Sequence, residues 1–277
     1  MRLGVRAHDF GKRPVEELAE RIAGKGFSCV QLAPPKAIAG FDPDVGELSP
    51  GFACRVKEAF ERRHIQIAVL GCYINLADPD VRQRQRQLAR FKEYLRYARD
   101  FGCSVVGTET GSVNPDFSFH PGNRGEEAFQ TVLGSVRELV AEAERFGVCV
   151  GIEGVERYVI SDPPRIRRLI DGIGSNNLQI IFDPVNLLSG ENYWRQDAII
   201  KESFELFGDR IAILHAKDFV VEGGSLQPVL SGQGMLNYGL LMDLIKARKP
   251  YINILMEDTY PETVEDGARF LRSFFPS

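Results

Sequence analysis

Histidine is scarce in this chain, cysteine is sparse, and no glycine-rich phosphate loop follows the first apolar run. Each gap excludes something. Only His8, His64, His120 and His215 are present, too few for a multi-histidine metal cluster. The five cysteines are odd in number and form no CxxC, which removes a disulfide framework and a structural thiolate zinc site. Cys29, Cys103 and Cys149 lie in apolar runs and read as small hydrophobes, whereas Cys72 stands near a strand end. No apolar stretch has the length of a bilayer span, and Arg2 and Arg6 interrupt the apolar N-terminal run that a signal peptide would need. These features predict a cytoplasmic, reducing setting and no membrane partner. A net charge of −4 and a pI near 5.7 provide no general attraction for nucleic acid.

What is there is rhythm. Short apolar runs alternate with longer amphipathic ones, the pattern of βα units around a parallel sheet. Strands are predicted over residues 3–7, 27–32, 65–71, 104–108, 148–153, 178–183, 211–215 and 252–257. Helices fall between them: from about 14, from 49–50 to about 63, from 78–79 to about 101, and over 125–146, 162–171, 197–207, 238–248 and 262–275. Ser49-Pro50 has the form of a cap followed by proline in the first turn. No proline- or glycine-rich linker divides the series, so residues 1–277 are predicted to form one domain, an α/β (β/α)8 TIM barrel. A doubly wound open sheet would announce itself with a glycine-rich turn after its first strand, and RAHDFGKRP is not one.

In a parallel barrel all strands end on one rim, where catalysis is housed. Four successive strands end in a polar group: VCVGIE in Glu153, LQIIFD in Asp183, IAILH in His215 and INILME in Glu257. Three carboxylates converging on one volume would repel and protonate unless a cation joined them. Glu153, Asp183, His215 and Glu257 are therefore the candidate ligands of one divalent metal ion. The oxygen-rich set with one imidazole suits Mn²⁺, Mg²⁺, Co²⁺ or Zn²⁺, with positions left for substrate oxygens or water.

The stretches GIEGVERYV, IIFDPVNLL, ILHAKDF and ILMEDTY, on the fifth to eighth predicted strands, resemble the xylose-isomerase-like barrel superfamily. Within it the chain is most similar to the sugar phosphate isomerases and epimerases that include the ketose 3-epimerases. The resemblance implies Mn²⁺ as the foremost metal and a small carbohydrate as substrate. It also implies that Glu153 and Glu257 are the catalytic acid/base pair, one on each face of a metal-stabilised enediolate. Return of the proton to the same carbon gives an epimer, and return to its neighbour gives aldose–ketose isomerisation. An inosose-dehydratase-like elimination, or another lyase reaction, can run on the same site. A homodimer is also within the resemblance, since such barrels often pair.

Two positions depart from the epimerase pattern. Asn186 stands where a histidine commonly follows the strand-six aspartate, and Val159 where the epimerases carry a glutamate. Related DNA-repair endonucleases of the endonuclease IV kind build a trinuclear zinc cluster from extra histidines, which this chain does not have, so no nucleic-acid partner is expected. The predicted substrate-binding residues are Asn186, Glu109, Arg157, His8 and Tyr73, all after strand ends, with Asn75 beside Tyr73. Lys217 and Asp218 follow His215: the lysine is a candidate for an anionic substrate group, and the aspartate for orienting a ligand or capping a turn. GQG in the loop before the 238–248 helix reads first as a tight turn and second as a phosphate cradle.

Overall fold

The computed structural model describes residues 1–41 and 44–275. Eight parallel strands close into a barrel: β1 (Arg2–Arg6), β2 (Cys29–Leu32), β3 (Gln66–Gly71), β4 (Val105–Glu109), β5 (Cys149–Glu153), β6 (Leu178–Phe182), β7 (Ile211–Ala216) and β10 (Asn253–Met256). β1 pairs with both β2 and β10, so the sheet has no open edge. The outer helices are α1 (Val15–Gly24), the short α2 (Pro34–Ala37), α3 (Pro50–Glu61), α4 (Val81–Tyr97), α5 (Glu126–Phe146), α6 (Pro163–Ile173), α7 (Gln196–Phe207), α8 (Tyr238–Arg248) and α9 (Val264–Ser273). This is the single (β/α)8 barrel that the apolar rhythm predicts.

Local chemistry fixes the boundaries. Ser49 Oγ accepts from Phe52 N at 3.2 Å, with Pro50 opening α3 as predicted. The long helix starts later than Asp78-Pro79 suggests. Asp80 caps α4 by accepting from Arg82 N and Gln83 N, while Asp78 holds the turn before it by accepting from Asp80 N at 3.0 Å.

Apolar side chains fill two separate spaces. The larger lies between strands and helices; the smaller is the barrel interior, packed by Cys29, Ala68, Val69, Ile181, Ile213 and Leu255. Glycine makes the interior layer fit. A Cβ on Gly107 would come within 2.6 Å of Ile181 and 2.8 Å of Val69. The plug beneath the rim is thus apolar and close-packed, and it supports whatever the strand ends present above it.

One element was not foreseen. After β7 the chain forms a hairpin, β8 (Asp218–Glu222) and β9 (Ser225–Val229), where the sequence suggests an irregular loop. Its turn is Gly223-Gly224, with φ of +57° and +80°, a geometry that suits a two-residue hairpin and excludes most side chains. The tip lies on the loop after β6, so close that a Cβ on Gly190 would sit 1.8 Å from Gly224 O. The hairpin was hidden because Pro228 and the paired glycines mimic loop composition.

Candidate functional site

The four predicted ligands meet. Glu153, Asp183, His215 and Glu257 are all buried, and each offers a ligand atom within 4.8 Å of the others. Glu153 ends β5, Asp183 follows β6, His215 lies in β7 and Glu257 follows β10, so four neighbouring strands supply one atom each. His215 Nδ1 is 3.1 Å from Glu153 Oε1 and 3.2 Å from Glu257 Oε1. Asp183 commits one oxygen locally: Oδ1 accepts from Val185 N at 2.8 Å and Asn186 N at 3.1 Å. Its other oxygen, Oδ2, is buried without a hydrogen-bond partner; Lys217 Nζ stands 3.0 Å away but off the bonding direction. A buried carboxylate oxygen without a hydrogen bond, among two further carboxylates and an imidazole nitrogen, fits a divalent cation.

The electrostatics show the same strain. Burial pushes Asp183 up to about 6, despite the Lys217 ammonium beside it. Burial opposes the charge on His215, yet Glu257 and Glu153 outweigh it and raise the imidazole to about 9. Glu257 is held down to about 2 against its burial by His215, Lys217 and Arg6. Glu109, opposite Glu153 in the β4–β5 register, is raised to about 7 by burial and by the Glu153 and Glu257 charges.

Above the cluster opens a cavity of about 890 Å³. The predicted substrate residues His8, Tyr73, Glu109, Arg157 and Asn186 all line it, together with Arg6, Lys36, Lys217, Asp258 and the hairpin residues Phe219, Ser225, Leu226 and Pro228. Asn186 uses both ends of its amide within the protein: Nδ2 donates to Glu153 Oε1 at 2.7 Å, and Oδ1 accepts from Lys217 Nζ at 2.7 Å. His8 is pushed down to about 4 by burial and by the Arg6 and Lys36 charges. Arg157 stacks on the Tyr158 ring and donates to its hydroxyl at 3.2 Å. Asn75 does not reach the cavity. It is buried, donates to Ser112 O and Asn114 O, and accepts from Ala77 N and Ser112 N, which ties the β3 and β4 loops together.

Two readings of the β7 loop are resolved. Lys217 is no free rim lysine: it is 3.4 Å from Glu257 Oε2 and 3.8 Å from Asp258 Oδ2, in addition to its contact with Asp183. Asp218 is an organiser, accepting from Phe219 N, Gly232 N, Gly234 N and Leu236 N between 2.8 and 3.0 Å. The two glycine amides of GQG therefore point at the chain's own carboxylate and the Gln233 amide at Leu230 O, which argues for the turn and against a phosphate cradle.

Arg6, Gln31 and Asp258 were missed. Arg6 lies 2.7 Å from Asp258, 3.0 Å from Asp9 and 3.6 Å from Glu257. Gln31 Oε1 is 2.7 Å from His215 Nε2, and its Nε2 donates to the Tyr73 hydroxyl. Asp258 has φ of +51°, a left-handed turn that brings its carboxylate back to Arg6. Their signal was a polar residue within or beside an apolar strand, in GVR, CVQL and LMED.

The xylose isomerase-like TIM barrel family model matches residues 19–274. The chain belongs to that family. Among curated proteins none matches. Solved structures match its fold across the whole length. A D-tagatose 3-epimerase-like protein is 18% identical with a TM-score of 0.78, covering 99% of this chain and 97% of its own. The IOLI protein, crystallised with a bound zinc atom, is 15% identical with a TM-score of 0.76 and full coverage of both chains. The probable 3-DHS dehydratase AsbF of Bacillus anthracis is 12% identical with a TM-score of 0.74, covering 98% of each. Among the described residues no helix is long and apolar enough to cross a membrane.

Proposed function

We propose that this member of the family is a divalent-metal-dependent isomerase or epimerase of a sugar or sugar phosphate, with Glu153 and Glu257 transferring the proton. The observation that carries the reading is the placement of these two glutamates. They reach His215 Nδ1 from the β5 and β10 walls, at 3.1 and 3.2 Å, and Glu257 borders a cavity wide enough for a monosaccharide. Glu153, Asp183, His215 and Glu257 would hold the ion, best Mn²⁺, with Mg²⁺, Co²⁺ and Zn²⁺ also compatible with the donor set. When bound, it supplies the Lewis acidity that makes a C–H between carbonyl and hydroxyl acidic and offsets the charge of the enediolate.

The remaining work falls to side chains. Asn186 fixes Glu153 through its 2.7 Å hydrogen bond, and Arg6 and Lys217 flank Glu257. One glutamate takes the proton from one face and the other returns it from the opposite face. Tyr73, His8, Glu109 and Arg157 border the space where the sugar hydroxyls would lie, with Asn186 beside them. A cytoplasmic setting and a small-molecule carbohydrate partner, with or without pairing into a homodimer, complete the reading.

A lyase is the second reading. Lys217 favours it: this buried ammonium is 3.4 Å from Glu257 and can hydrogen-bond a departing β-hydroxyl as the neighbouring proton leaves. The structural likeness to a probable dehydratase supports the same alternative. The deciding experiment incubates the protein and Mn²⁺ in deuterated water with ketoses, their phosphates and inososes. Deuterium uptake without loss of water supports the isomerase or epimerase, whereas water loss supports the lyase. Glu153→Gln and Glu257→Gln should each abolish exchange; full exchange in either overturns the two-glutamate scheme.

A further inference from the structure

Gln31 is a polar side chain in the middle of a buried strand, and only 2% of it is exposed. Its neighbours in CVQL are buried and apolar. Such a group is retained only where its hydrogen bonds are satisfied. Both ends are. Gln31 Oε1 lies 2.7 Å from His215 Nε2, and Gln31 Nε2 donates to the hydroxyl of Tyr73, whose ring lies under the Lys36 ammonium at 4.1 Å.

The consequence lies on the far side of the imidazole. A carbonyl oxygen only accepts, so the proton facing it belongs to His215 Nε2. Nδ1 is then the nitrogen whose proton an ion would displace, and it is Nδ1 that faces Glu153 and Glu257 at 3.1 and 3.2 Å. Turned end for end, the amide would present an N–H to Nε2. The imidazole proton would then move to Nδ1 and remove the ligand lone pair. In the observed orientation the Tyr73 hydroxyl accepts from Gln31 Nε2, so both ends of the buried amide are satisfied.

We propose that Gln31 is a positioning residue of the metal centre, holding His215 by Nε2 so that Nδ1 is presented bare to the ion. The proposal rests on reading Glu153, Asp183, His215 and Glu257 as a metal site and is independent of the reaction catalysed there. It places a support for the ligand set on β2, across the barrel from β7.

The test is metal affinity, read by titration calorimetry with Mn²⁺ and Zn²⁺ on the full chain. Gln31→Leu keeps the volume and removes the acceptor, and should weaken binding about 10- to 100-fold. Gln31→Glu restores an acceptor and should bind within about threefold of the starting protein or tighter, as carboxylates behind metal-bound histidines do. Tyr73→Phe should lose less than Gln31→Leu. A packing role predicts the reverse order, with leucine tolerated and the buried glutamate harmful. Equal affinity in the leucine variant overturns the proposal.

A second measurement guards against misfolding of the variants. With four histidines in the chain, long-range ¹H–¹⁵N correlation on the unmodified Zn²⁺-loaded protein can assign each ring. Ligation through His215 Nδ1 with a proton on Nε2 supports the proposal; ligation through Nε2 overturns it. Failure of the unmodified chain to bind any divalent ion would defeat the metal reading itself, an outcome distinct from equal affinity in the variant.

Discussion

The two halves of the barrel rim do different work. β5, β6, β7 and β10 end in groups that can hold an ion: Glu153, Asp183, His215 and Glu257. β1 to β4 end in groups that hold those groups or face them. Arg6 reaches Glu257, Gln31 reaches His215, Tyr73 braces Gln31, and Glu109 lies beside Glu153. A closed barrel makes this division possible, because strands far apart in sequence face each other across the packed interior. The lesson is that ligation and orientation can be separated. If so, substitutions in the two halves should fail in different ways.

The largest effect belongs to the ligand half. Asp183→Asn keeps an acceptor for Val185 N and Asn186 N, so the turn after β6 should survive. It removes one of the three carboxylates among four candidate ligands, roughly a quarter of the binding free energy of such a site, and divalent-ion affinity should fall about 100-fold or more. Calorimetry should show that loss while the melting temperature in chelator stays close to the starting value. A large drop in melting temperature with affinity intact would contradict the division.

Arg6→Met, in the supporting half, should do the opposite. It leaves Asp9, Asp258 and Glu257 without their shared guanidinium, and buried carboxylates stripped of a partner are costly. Because Asp258 is partly exposed, the expected loss is about 2 kcal/mol of stability, a few degrees in melting temperature. Metal affinity should hold or rise slightly, since a positive charge beside Glu257 has gone. Loss of affinity with unchanged stability would move Arg6 into the ligand half.

The same division explains what could be read from the sequence. The barrel was legible because strand and helix periods alternate from Leu3 to Phe270, and the candidate ligand cluster because each member closes an apolar strand with a carboxylate or imidazole. The supporting residues were harder. Gln31 and Arg6 interrupt strands in the same way, but their meaning depends on a partner 184 positions away for Gln31 and 252 for Arg6 with Asp258, a relation that only barrel closure creates. Asn75 and Tyr73 sit two residues apart after β3, and nothing local says that one turns inward to a loop and the other to the cavity. The β8–β9 hairpin reads as loop in the sequence because its turn and its proline carry loop chemistry.

Glu109 gives the smallest and most conditional effect. Burial and the charges of Glu153 and Glu257 raise its carboxyl from the ordinary 4.5 to about 7. Between those values the folded chain keeps a proton that the unfolded chain has lost, so this residue makes stability fall as pH rises through the window and level off above it. Glu109→Gln cannot titrate. In chelator it should match the starting protein near pH 4 and exceed it above pH 7, by on the order of 1–2 kcal/mol after discounting for solvent at the cavity mouth. Denaturant titrations at the two pH values read the difference directly. Adding Mn²⁺ should narrow the gap, because a cation among Glu153, Asp183, His215 and Glu257 relieves the repulsion that raises Glu109. Equal stability of the two proteins above pH 7 in chelator would mean that Glu109 does not feel the ligand half. The boundary between the halves would then run along the β4–β5 pairing instead of through the charges that cross it.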